Sequence, residues 1–417
     1  MFPPSSRRFS RSAVSSSFLH IGRKMKNMLF LRAMKERIYL DNSATTQVDE
    51  RVLDAMLPCF REYYGNASSV HLFGQEARGI VEEARRSVAG LIGADTKEIV
   101  FTSGGTESDN WALWGIWNAN RAAGNHFITT RIEHPAILAT CQVMESAGAE
   151  ITRVPVDASG CVAPEAIEAA IRETTRLISV MHANNETGVI QPIREIAEIA
   201  RRRNVPLHTD AVQSVGKIPV NVRELNVDML SLSGHKIHGP KGIGALYIRK
   251  GIKIAPYMTG GSHERKRRAG TENVPAIAGL GAAARLSGEH LPEMAACVGA
   301  LRDRLEQYVM ARIPGARLNG AGARLPNISN ISFDRLEGEA AVIALDLEGV
   351  AVSTGSACAS GSLDPSHVLT AMGLRPEVVQ GSLRFSLSRY TSEDEMDRAL
   401  EILNAIVQRL RRLRRGQ

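Results

Sequence analysis

The chain has 417 residues, 44% hydrophobic and 23% charged, enough apolar mass for one large core or two domains. No run of 18 apolar residues occurs, which argues against a membrane-spanning helix. The net charge of +7 resides in the ends: residues 1–35 carry eight Lys or Arg and no acid, and the last nine carry five Arg. The remainder holds 38 basic against 44 acidic side chains, which argues against a nucleic-acid surface on the body.

In chain order, residues 1–33 come first, Ser- and Arg-rich and free of acids. Two readings stand: a mitochondrial-type transit peptide, or an upstream extension with Met28 or Met34 as the working start. In both, the segment stands outside the fold. From residue 74 to 250 helix-like and strand-like stretches alternate. "GQEARGIVEEARRSVAGLIGA" reads as helix, "EIVFTS" (98–103) as buried strand, "ESDNWALWGIWNANRAAG" as helix and "HFITT" as strand. "HPAILATCQVMESAG" is again helical, "RLISVMHA" (176–183) a strand, "IREIAEIARRRN" a helix, and "VPLHTDA", "VDMLSLSG" and "GALYIRK" are strands. That alternation predicts an α/β architecture with a mostly parallel sheet, whose ligands bind beyond the carboxyl ends of the strands.

After residue 290 the pattern changes to a helix (292–312), a strand "NISNISF", a helix (337–347), a strand "LRFSLSR" and a last helix, which predicts a smaller α+β domain. The last helix starts at Ser392 with Glu395 as a capping-box partner. Its apolar stripe is Met396, Leu400, Leu403, Val407, Leu410 and Leu413, and the terminal arginines suit its dipole.

Five cysteines, at 59, 141, 161, 297 and 358, form no CxxC pair, so a reducing compartment fits better than a disulfide framework. Four lie in helix- or strand-like contexts. Cys358 alone sits in "STGSACASGS" (353–362), ten residues without a large side chain, which predicts a loose segment with an accessible thiol.

Chemistry-bearing residues collect at the strand ends. "FTSGGTESDN" turns through Gly104 and Gly105 into a helix near Thr106; free amides there can cradle an anion, although many strand-to-helix turns look alike. It lacks the GxxxxGK[ST] phosphate loop. Asp210 and Gln213 follow the strand of "HTDAVQS", and Ser233, His235 and Lys236 follow that of "SLSGHK". Singly, each reads as a cap or a solvated surface residue. Together they supply what pyridoxal phosphate needs: a lysine for the Schiff base, an acid for the pyridine nitrogen and an anion site.

With these residues in view, the chain resembles the cysteine desulfurases of the NifS/IscS group, class V aminotransferase-like enzymes of the fold-type I pyridoxal phosphate class. The motifs run from Tyr39 to the final helix: "YLDNSATT", "GNASSVH", "TSGGTESDN", "EHPAI", "HANNETG", "HTDAVQSVGK", "SGHKIHGPKG", "RRAGTENVP", "GSACASGSLDPSH" and "LRFSLSR". The resemblance implies a seven-stranded, mostly parallel sheet. It also implies a domain plan: an extension over 1–33, an N-terminal segment over 34–48 packing with the small domain, a large cofactor domain over 49–290, and a small domain over 291–417 carrying the cysteine loop.

It further implies roles for single residues. Lys236 would carry the Schiff base, Asp210 would pair with the pyridine nitrogen, and Gln213 would meet the ring's phenolic oxygen. His134 would stack on the ring and move protons. Gly105, Thr106, Ser233 and His235 would hold the phosphate, and Thr271 would reach the phosphate of a neighbouring subunit, hence a homodimer. Asn185 and Arg384 would hold the substrate carboxylate. No metal site is expected. Cys358 would attack the substrate sulfur, release L-alanine from L-cysteine, and carry a persulfide to a sulfur-acceptor protein in iron–sulfur cluster assembly or another sulfur-requiring pathway. A thiol with a pKa near 8.5 is mostly protonated at neutral pH, so the site must activate it; His134 or the substrate-loaded cofactor is the candidate. A five-residue arm on either side reaches about 17 Å when extended, which suits a sulfur carried between two places.

The short stretch after the last helix and the details of "RRAGTENVP" and "SGSLDPSH" lean towards the NifS-like branch and a cytoplasmic location, with the mitochondrial matrix as the alternative. Selenocysteine lyase, or another class V transferase, is the nearest rival activity; an aminotransferase has no use for the Cys358 loop.

Overall fold

The computed structural model describes residues 37–354 and 365–415. The expectations for residues 1–33 and for Cys358 lie outside the described residues. Twelve strands are present among those described: β1 (Ile38–Tyr39), β2 (Ile99–Thr102), β3 (His126–Thr130), β4 (Glu150–Val154), β5 (Thr175–Ser179), β6 (Leu207–Asp210), β7 (Met229–Ser233), β8 (Gly244–Ile248), β9 (Ala316–Leu318), β10 (Ile328–Phe333), β11 (Val350–Ala351) and β12 (Ser382–Ser386).

Seven of them form one sheet in the order β2-β8-β7-β6-β5-β3-β4. The pairs among β4, β3, β5, β6 and β7 are parallel; β8 alone runs against both its neighbours. The apolar runs that mark these strands are buried on both faces because alternate residues enter opposite cores. Ile99, Phe101, Ile128, Ile178, Leu230 and Tyr247 point into one core, against the helices Leu72–Ile92 and Ile193–Arg202. Val100, Phe127, Leu177, Met229, Leu246 and Ile248 point into the other, against Gly105–Asn120 and Pro135–Ser146. The helix Ile193–Arg202 shows the matching 3.6 period, with Ile193, Ile196, Ala197 and Ala200 inward and its arginines outward.

β12, β10 and β9 make an antiparallel sheet packed on the helices Gly338–Leu347 and Glu393–Arg415. Ile38 and Leu40 are buried in this third core, and β1 pairs in parallel with β11. The segment after β1 then crosses to the large sheet: the amide of Ser43 donates to Ser386 Oγ (2.8 Å), and Thr46 Oγ1 donates to the carbonyl of His235 (3.0 Å). The last helix opens with the expected capping box, Ser392 and Glu395 each accepting from the other's amide (2.9 and 3.1 Å). Its stripe ends early: Met396, Leu400, Leu403 and Val407 are buried, whereas Leu413 is exposed.

One helix departs from the expected 292–312. It runs from Val274 to Arg312, with Pro292 inside it. Its first half sits in the large core through Ile277, Leu280, Ala283 and Ala284, and its second half in the small one through Val298, Leu305 and Val309. Pro292 is exposed where the helix changes from one core to the other, so its missing N–H and ring clash fall where no packing depends on them. The first half crosses Leu72–Ile92 closely: a Cβ on Gly281 would lie 2.5 Å from Ala84 Cα.

Candidate active site

The carboxyl ends of β3, β5, β6 and β7 converge, and each end fixes a side chain by a local device. After β6, Asp210 is 6% exposed and turns back on its own chain, one carboxylate oxygen accepting the amide of Val212 (2.9 Å). Burial pushes its carboxyl up from the ordinary range, and the charges of His134 and Lys236 pull it down. Gln213, one turn on, donates through Nε2 to the carbonyl of Ser43 (3.0 Å), while its Oε1 is buried without a partner among the described residues.

After β3, His134 caps the helix Pro135–Ser146, its Nδ1 accepting the amide of Ala136 (3.1 Å). A nitrogen that accepts carries no proton, so the neutral ring is protonated on Nε2. Burial lowers its pKa, and Asp210 opposes that effect. The ring is therefore held neutral, flat-sided and with one defined tautomer.

After β7, the short turn Gly234–Lys236 presents Lys236. Its Nζ donates to the carbonyls of Ser43 (2.5 Å) and Ala44 (2.9 Å). His235 Nδ1 lies 3.2 Å from Thr45 Oγ1, and burial, followed by the charges of Lys236, Lys241 and Lys217, lowers its pKa to about 4. Ser233 is buried beside the turn, and Gly105 and Thr106 open the helix that follows β2, with Thr106 exposed.

Arg384, on β12, reaches this edge from the small sheet. It is 1% exposed; Nη1 donates to the carbonyl of Asn185 (3.0 Å) and Nη2 to Asp41 (2.8 Å). The expected carboxylate-holding pair, Asn185 and Arg384, is thus in contact. Thr271 is exposed on a segment tied to the cradle helix, where Arg268 donates to both carboxylate oxygens of Glu107 (2.9 and 3.2 Å).

Several groups escaped the sequence reading. The carbonyls of Ser43 and Ala44 orient both Lys236 and Gln213, although "NSATT" offers nothing but small side chains. Glu133, beside His134, is buried; its Oε1 accepts from Thr130 Oγ1 (2.6 Å) and the amide of Met181 (3.0 Å), and burial raises its pKa to about 8. Glu186 accepts from Ser366 Oγ (2.5 Å), with its pKa raised by burial to about 7. His367 Nε2 donates to the carbonyl of Glu133 (3.0 Å), which brings the residues after the cysteine loop against the His134 turn. The quoted "EHPAI", "HANNETG" and "SGSLDPSH" contain Glu133, Glu186, Ser366 and His367, but their pairing is long-range.

A lysine amine at the carboxyl edge of a mostly parallel seven-stranded sheet, beside a buried carboxylate and a neutral imidazole, is the fold-type I arrangement of the pyridoxal phosphate enzymes. The sequence profile of aminotransferase class-V matches residues 38–399, and the chain belongs to that family. A Methanosarcina thermophila protein named cysteine desulfurase IscS is 52% identical over 377 residues, 90% of this chain and 93% of that protein. A Trichormus azollae cysteine desulfurase is 50% identical over 377 residues, 90% of this chain and 94% of its own length. A solved NifS-like protein superposes with a TM-score of 0.85 at 41% identity, covering 89% of this chain and all of that one. A structure described as SspA in complex with cysteine gives 0.76 at 37% identity, covering 85% of this chain and all of its own.

Proposed function

We infer that the chain is a pyridoxal 5'-phosphate-dependent cysteine desulfurase, converting L-cysteine to L-alanine and leaving the sulfur on Cys358 as a persulfide. The observation that carries this reading is the placing of Lys236, Asp210, Gln213 and His134 at one sheet edge, in a chain about half identical to proteins named cysteine desulfurase.

The residues present fit the cofactor. Asp210 keeps one carboxylate oxygen beyond its Val212 bond, suited to a pyridine N–H, and the buried Oε1 of Gln213 has capacity in the same place. Lys236 would attach the cofactor, and Gly105, Thr106, Ser233 and His235 would hold its phosphate. When bound, the cofactor supplies an electron sink for the substrate carbon skeleton.

The chain's own residues do the rest. Arg384 and Asn185 grip the substrate carboxylate. Lys236 Nζ would take the proton from the substrate α-carbon. His134 would stand beside the cofactor and relay a proton through Nε2. The thiolate of Cys358 attacks the substrate sulfur: a sulfur–sulfur bond forms, the carbon–sulfur bond breaks with its pair left on carbon, and a proton completes L-alanine.

In this reading two copies of the chain pair, with Thr271 of each serving the other's phosphate site, and the two halves of the chain act as domains divided near residue 290. The sulfur passes to an acceptor protein for iron–sulfur cluster assembly or a related pathway. The cytoplasm is the proposed location, supported by four free cysteines among the described residues.

Two variants test the reading. Cys358→Ala is expected to keep the cofactor's absorbance and lose sulfide release from L-cysteine, and Lys236→Ala to lose the lysine-linked absorbance band. Full sulfide release by Cys358→Ala would overturn the assignment.

A further inference from the structure

Beside the Lys236 turn lies a partly open cavity of about 30 Å³. Its walls come from three parts of the fold: Lys217 and the turn at Lys236 beside the large sheet, Ser287 from the long helix, and Asn327 and Arg389 from the small sheet's ends. Among the described residues lining it, three are Lys or Arg and none is Asp or Glu.

The polar groups around it are under-used. Asn327 is 2% exposed, and neither the oxygen nor the nitrogen of its amide has a hydrogen-bond partner among the described residues. Arg389 spends a terminal nitrogen on Asp49 and Tyr390, while its buried Nε has none. Lys217 is 6% exposed and gives one hydrogen bond, to the carbonyl of Lys236 (3.1 Å), leaving two N–H groups. Asp49, the nearest acid to Arg389, is already shared with Arg51 and Tyr390.

Buried donors left unmatched are costly, and buried charge is found paired. Here Arg389 has Asp49 on one terminal nitrogen, while its Nε, two N–H groups of Lys217 and the Asn327 amide lack a partner among the described residues. A volume near 30 Å³ holds about two waters or one monatomic anion. Burial and the charge of Lys236 lower the pKa of Lys217 to about 7, so an anion would also decide whether that amine stays charged.

We propose that this cavity is a binding site for a single halide-sized anion, held by Lys217, Asn327 and Arg389 at the junction of the two sheets. Bound there, the anion bonds Lys217, which bonds the main chain of Lys236. It would thus tie together the elements that carry Arg384 and Lys236.

The site is tested with bromide. Crystals of the full-length holoenzyme soaked in sodium bromide are expected to show an anomalous peak in this cavity. In solution, melting temperature is expected to rise about 1–3 °C for each tenfold step in chloride when gluconate keeps ionic strength constant. Asn327→Asp supplies a fixed negative charge in the cavity; it is expected to fold, to lose the bromide peak and to melt independently of chloride. Lys217→Met is expected to lose the peak too. Two ordered waters in bromide-soaked crystals would overturn the proposal, as would a bromide peak without any chloride dependence, which marks an adventitious ion only.

Discussion

The guanidinium of Arg384 is clamped between the carbonyl of Asn185 and the carboxylate of Asp41, at 3.0 and 2.8 Å. The small sheet supplies the arginine, the loop after β5 the carbonyl, and the segment after β1 the acid. In the proposed function a substrate carboxylate entering here would have to displace Asp41, and a planar two-pronged donor is suited to making that exchange. Arg384→Lys keeps the charge and loses the fork, so KM for L-cysteine is expected to rise about tenfold, with a smaller change in kcat. Steady-state kinetics decide; an unchanged KM would remove Arg384 from the carboxylate site.

Glu133 gives the fold a pH signature. Its carboxyl has a pKa of about 8 in the folded chain against 4.5 for an ordinary glutamate. A raised acid binds its proton more tightly when folded, so its contribution to stability is full below pH 4.5 and is lost as pH rises towards 8. Glu186, raised to about 7, acts in the same direction. His182, lowered by burial to about 4, acts at the other end: its stability is present above 6.5 and lost as pH falls towards 4. Stability is expected to peak between these limits. Glu133→Gln is expected to flatten the fall in melting temperature from pH 5 to 8. A decline as steep as that of the parent would contradict the raised carboxyl.

The two long helices meet at Gly281. Its Cβ position lies 2.5 Å from Ala84 Cα, main chain that cannot swing away. Gly281→Ala is expected to lower stability by about 1–3 kcal/mol through overpacking, despite alanine's better helix propensity. Denaturant unfolding measures it, and a stabilised variant would show that the crossing is looser than this.

How far the sequence speaks is clear from particular segments. "HFITT" and "GALYI" announce themselves because they are short, rich in aromatic and β-branched or other apolar residues, and buried on both faces. The edge strand Glu150–Val154 passes unnoticed, since "EITRV" is half polar and its burial is partial. Pro292 masks the first half of the long helix, because a proline reads as a boundary and only the handover between two cores makes it tolerable in mid-helix. In the site, Lys236, Asp210 and His134 are legible from their motifs. What orients them is not: Ser43 meets Lys236 across 193 residues, through a carbonyl that every residue possesses. Asn327 and Lys217 stay silent for the same reason, since unmatched donors become visible only when the chain has closed around them.

The central claim is that sulfur moves from L-cysteine to Cys358. Mass spectrometry of the intact holoenzyme and of its peptides, after a brief exposure to L-cysteine without reductant, tests it most directly. The account predicts a mass gain of one sulfur atom confined to the peptide containing Cys358, lost on reduction and missing in Cys358→Ala. Alanine formation with no sulfur on Cys358, or sulfur on Cys59, Cys141, Cys161 or Cys297 instead, would contradict it.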